Sequence, residues 1–131
     1  MKRITTVLLG ALLAAGAAHA DIVVIGHPSA AALTRAQVSD IYLGKSQGAT
    51  PLDQAESAPI RAEFYKKATG RDPAQVKATW SRLVFSGKAM APKELPDAAA
   101  VKKAVAADPK AVGYIDSAAV DASVKVLVTI D

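Results

Sequence analysis

"TPLDQAESAPIRAEFY" (residues 50–65) changes its grammar half-way along. The segment ATPLD (49–53) reads as a short strand. Pro59 is tolerated only in the first turn of a helix, where its missing N–H is not needed. After it, Ile60 and Phe64 fall on one inward face, and Glu63 and Lys67 form an i,i+4 pair. Strands interleaved with helices of this length build an α/β layer fold.

The same punctuation recurs on either side. Upstream, IVVIG (22–26) is a continuous apolar run rich in β-branched residues. It reads as a buried, parallel strand. Thr34 and Gln37 then form a capping box, with Leu33 and Val38 as its hydrophobic staple. A helix over 35–43 follows, with Val38, Ile41 and Tyr42 on one face and Gly44 as its stop.

Downstream, Gly70 ends the second helix. Asp72-Pro73-Ala74-Gln75 restarts at once with an N-cap, an N1 proline and a Gln at N3. Val76, Trp80, Leu83 and Val84 make a helical stripe stopped by Gly87. Trp80, Phe85 and Tyr42, all in such stripes, read as core. SGKAMAPKELP (86–96) is a loop. Asp97 caps a helix over 98–107, with Val101, Ala104 and Val105 inward. AVGYI (111–115) is a second buried strand, Ser117–Val120 a helical turn, and VKVLVTI (124–130) a strand with a more exposed face. The expected architecture is a three-layer α/β lobe with a mostly parallel sheet.

Composition narrows the function. The chain has 131 residues and no cysteine. Lys2 and Arg3, the small and apolar run 4–18, and Ala18-His19-Ala20 form the pattern of a secretory signal peptide over 1–20. Residues 21–131 are then one small domain, long enough to bury roughly two thirds of its unfolded surface. Export without disulfides suits the periplasm. Setting Lys2 and Arg3 aside leaves fourteen basic residues against twelve acidic ones. That near balance, with scattered cations and few aromatics, gives no nucleic-acid footprint. His27 is the one histidine beyond residue 20, too few for a catalytic zinc site. Nothing calls for a metal or a cofactor, and no G-x-S-x-G elbow supports a hydrolase. The chain reads as a non-enzyme.

A helix start carries about +0.5 of an elementary charge and unpaired N–H groups, a ready seat for an anion. Ser57 adds a hydroxyl, Ala58 an amide, and Arg61 a guanidinium able to lean back over the first turn. The competing reading makes Ser57 a plain N-cap and Arg61 a solvated charge, with Asp53 and Glu56 already answering the helix dipole. His27 and Ser29 follow the first strand, and ligands of open α/β sheets sit beyond the C-terminal ends of strands. They are therefore candidates to line the same crevice. Tyr114 lies at a strand end, either in that crevice or in the core.

Four fragments, LTRAQVSDIYLGK (33–45), TPLDQAESAPIRAEFY (50–65), WSRLVFSGK (80–88) and DPKAVGYI (108–115), resemble in order and spacing the second lobe of type 2 periplasmic substrate-binding proteins. The nearest resemblance is to the phosphate-binding proteins of phosphate ABC transporters. It implies the lobe fold, a periplasmic location, a small oxyanion such as phosphate as ligand, and an ABC transporter permease as partner. Ser57 matches the family's ligand-binding serine, and Arg61 a basic position just after it. The chain departs where Pro59 replaces a threonine and Asp53 replaces an arginine. It also has one lobe's worth of sequence where the family closes two lobes on the anion. Two expectations follow: an oxyanion-binding lobe, which a homodimer would cover, or an interaction or sensor module that has lost its ligand.

Overall fold

Capping chemistry sets most of the element boundaries in the computed structural model, which describes residues 21–131. The signal-peptide reading of residues 1–20 lies outside the described residues. Thr34 and Asp72 each complete a reciprocal capping box, with Gln37 and Gln75, and open helices α1 (Arg35–Tyr42) and α3 (Pro73–Phe85). Asp97 caps α4 (Ala98–Ala107) by accepting from the Ala100 amide. Helix α2 (Pro59–Thr69) starts differently. Its N-cap is Ala58, with no side-chain cap, and Ser57 stands one residue outside it, exposed. The reading of Ser57 as a cap is therefore corrected: with Pro at N1, the first turn offers few amides for a hydroxyl to meet.

The strands are β1 (Ile22–Gly26), β2 (Thr50–Gln54), β3 (Lys93–Leu95), β4 (Ala111–Asp116) and β5 (Lys125–Ile130). They form one sheet in the order β3-β2-β4-β1-β5. Strand β2 runs parallel to β3 and β4. Strand β1 runs antiparallel to both its neighbours, β4 and β5. Four strands thus share a direction and one opposes them, a mostly parallel sheet in which β1, expected parallel, is the exception. Its apolar run reports burial on both faces and carries no information about direction. Strand β3 lies inside the stretch expected to be all loop.

The layers follow from side-chain alternation. Ile22, Val24, Val112, Tyr114, Leu127 and Ile130 face α1, α2 and α3, where Tyr42, Phe64, Tyr65 and Trp80 complete the core. Val23, Ile25, Leu52 and Ile115 face the other way, against Val101 and Val105 of α4. On that side Gly113 lets helix and sheet approach closely: a Cβ there would lie 2.4 Å from Val101 Cγ1. On the larger side Phe64 stacks on Tyr114 with ring centroids 3.9 Å apart, and Tyr42 meets Phe64 edge-on at 4.8 Å.

The stripe of α3 departs from expectation. Val76 and Trp80 are buried, and the Trp80 indole donates to Tyr42 O at 2.9 Å. Phe85, read as core, is 95% exposed, and Val84 is 49% exposed. Within the described residues the helix packs chiefly against α2, through its first turns, and its last turn is left in solvent.

Candidate functional site

The end of β2 turns a polar pair inward. Asp53 and Gln54 are the only buried polar or charged residues among those described. Asp53 accepts the Tyr65 hydroxyl at 2.5 Å and the Tyr114 hydroxyl on its other oxygen. The Gln54 amide bonds Asp53 and the Tyr114 hydroxyl, and its side chain donates to Tyr114 O at 2.8 Å. Burial, then the charge on Asp53, holds the Tyr65 and Tyr114 hydroxyls well above their ordinary pKa, so both stay protonated donors.

Arg61 closes this cluster. Its guanidinium donates to Gln54 O at 2.9 Å, pairs with Glu94 at 3.0 Å, and lies 3.7 Å from Asp53. Only 12% of the side chain is exposed. Burial works against its charge, but the Glu94 hydrogen bond and the Asp53 charge outweigh that, and its pKa sits above the ordinary value. The Nε proton is buried without a hydrogen-bond partner.

These contacts turn Arg61 away from the start of its own helix. It lines a groove of about 440 Å³ between α2, α3 and the segment entering β3, together with Asp53, Tyr65, Trp80 and Glu94. The groove at the helix start itself is separate, about 530 Å³, and holds Ala58, Pro59 and Ile60 with Glu63, Asp97 and Asp116. Three carboxylates and no cation line it. Asp97 and Asp116 also cap their own turns.

His27 and Ser29 lie elsewhere. Because β1 is reversed, Gly26 sits beside Val112 at the start of β4, whereas Gln54 bonds Tyr114 near its end. The two loops are therefore at opposite ends of the sheet. His27 and Ser29 satisfy each other: the Ser29 amide donates to His27 Nδ1 at 3.1 Å, and its hydroxyl lies 2.7 Å from the same atom. Of the candidates, the structure keeps Ser57 and Ala58 together, separates Arg61 from them, and leaves His27 and Ser29 remote. Tyr114, placed by sequence in either crevice or core, is fully buried.

Tyr65 and Glu94 escaped the sequence reading. Arg61 and Tyr65 are four apart on a helix, and the guanidinium lies 5.9 Å from the Tyr65 ring centroid, so that spacing was a usable signal. Glu94 reaches the cluster only through β2–β3 pairing, opposite Asp53, and no local pattern announces it. Among the described residues, no group of three His, Cys, Asp or Glu side chains is placed to hold a metal. No described helix is long and apolar enough to cross a membrane.

The architecture has solved counterparts. A protein described as a phosphate ABC transporter substrate-binding protein from Clostridium perfringens, crystallised with bound phosphate, superposes with a TM-score of 0.68 at 20% identity, over 84% of this chain and 45% of that one. An ABC-type phosphate transport receptor from Vibrio cholerae gives 0.66 at 22% identity, over 84% and 46%. This chain has the fold of about half of such a protein. No protein-family model matches the sequence, and no curated protein matches it. The likeness is one of fold, and it bears out the expected lobe architecture.

Proposed function

We propose that the chain is a non-enzymatic periplasmic module of the substrate-binding type that works by docking to an envelope protein, an ABC permease or a sensor, and has given up anion capture at its helix start. The observation that carries this reading is the engagement of Arg61. The cation expected to serve the site is held by Gln54 O, Glu94 and Asp53. The groove left at the helix start is lined by carboxylates, whose field repels phosphate or sulfate. Pro59 removes a further donor.

A second reading, phosphate capture for an ABC transport system, draws on one neighbour's bound phosphate and on Arg61 Nε, a donor without a partner. In it, Ser57 and the Ala58 amide would meet the anion and Arg61 would swing back to them.

Thermal melts in phosphate and in sulfate separate the two. A native-state ligand at a hundredfold excess over its Kd adds about 2.7 kcal/mol. The docking reading expects an unmoved melting temperature at millimolar anion, and retention of the permease or sensor on the immobilised chain. A saturable upward shift with phosphate, lost in Ser57→Ala, selects the second reading.

A further inference from the structure

The last turn of α3 inverts the usual distribution of side chains. Val84, Phe85 (95% exposed) and Met90 (88% exposed) stand in solvent within seven residues. The backbone that presents them is closed. Gly87 takes φ +75°, its amide donates to Val84 O at 3.0 Å, and the Lys88 amide donates to Leu83 O at 2.9 Å. This is a Schellman cap with both its hydrogen bonds made. Phe85 is held outward by a finished helix end.

Beside this knob lies a hole. The groove of about 440 Å³ that contains Arg61 has Val76, Trp80, Ala91 and Pro92 in its wall, and Val84 and Phe85 on its rim. Its charges are Asp53, Glu56 and Glu94 against Arg61 and Lys77, acidic on balance. The knob carries Arg82 and Lys88, both exposed and in no salt bridge among the described residues. One face thus offers an apolar, basic projection next to an apolar, acidic recess. A patch that contains its own complement is what a two-fold interface requires.

We propose that a second copy of this chain docks on this face, with Phe85 and Met90 of each copy entering the other's groove, and Arg82 and Lys88 facing Glu56 and Glu94 across the two-fold axis. An anionic bilayer fits less well, because it is flat and would press its charge onto the groove's carboxylates. The inference rests on the α3 face alone and is independent of whether the helix start takes an anion.

Sedimentation velocity across the micromolar range is the test. The parent is expected to run as a concentration-dependent dimer. Phe85→Asp should raise the dimer dissociation constant by about thirtyfold or more, as for a central aromatic anchor. Lys88→Glu should weaken the dimer, and adding Glu56→Lys should restore it. That charge pair keeps the question answerable if Phe85→Asp disturbs the fold, which circular dichroism reports. A parent that stays monomeric at every concentration refutes the proposal. So does a dimer indifferent to Phe85→Asp and Lys88→Glu. Phe85-dependent co-sedimentation of a monomer with phosphatidylglycerol vesicles would give the face to a membrane and refute it as well.

Discussion

The end of β2 and the end of α3 sit on the same groove and are built in opposite ways. At β2, groups that ordinarily meet water or a ligand have been drawn together: Asp53 is bonded to two tyrosines, and Arg61 to a carbonyl and Glu94, with the Asp53 carboxylate beside it. At α3, groups that ordinarily go indoors have been left out, on a helix cap with its backbone bonds made. A buried polar cluster whose members, Arg61 Nε apart, satisfy each other has little left for a ligand. An exposed aromatic on a rigid end has everything left for a partner. The proposed docking puts binding capacity at the helix that sequence reasoning assigned to the core, while Arg61, assigned to the site, is engaged within the fold.

The sharpest way to break this contrast is to open the polar cluster. Asp53→Ala leaves two buried hydroxyls and a mostly buried guanidinium without their common acceptor. Removing one member of such a pair costs about 3–5 kcal/mol. Urea denaturation should show that loss through a lower midpoint at unchanged slope. A loss below about 1 kcal/mol would mean that water reaches Asp53 and that the cluster is a site after all.

Tyr114→Phe is a finer cut at the same place. It keeps the ring stacked on Phe64 and deletes one donor to Asp53 and one acceptor of the Gln54 amide. A hydrogen bond to a charged group contributes about 1.5–3 kcal/mol. The expected loss is in that range, smaller than for Asp53→Ala, because Tyr65 still donates to the carboxylate. Equal losses in the two variants would show that Tyr114 alone holds Asp53 in place.

The same contrast explains what the sequence made legible. Capping boxes are local chemistry written in four consecutive residues, so Thr34–Gln37 and Asp72–Gln75 gave helix starts that the structure reproduces. Buried runs gave β1 and β4. Strand direction is not local: IVVIG reads the same whichever way its neighbours run, and its reversal is what carried His27 and Ser29 to the far end of the sheet. The fate of Arg61 was hidden for a related reason. Its partners Asp53 and Glu94 come from two strands that meet only by pairing. Phe85 misled because helical periodicity says which side chains share a face, and not whether anything covers that face at the helix's last turn.

The smallest expected effect is the most discriminating. Phe85→Ser removes the largest exposed apolar side chain of α3, and if that end is as unpartnered within the monomer as its exposure implies, stability should move by no more than about 0.5 kcal/mol. Measured at the lowest practical concentration, the urea midpoint should therefore match the parent's. Measured where the parent associates, the variant should lose the concentration-dependent part of the parent's stability, since association adds to the apparent folding free energy by mass action. A clear loss at low concentration would put Phe85 back among the groups that hold the monomer together. The two ends of the groove would then no longer be opposites.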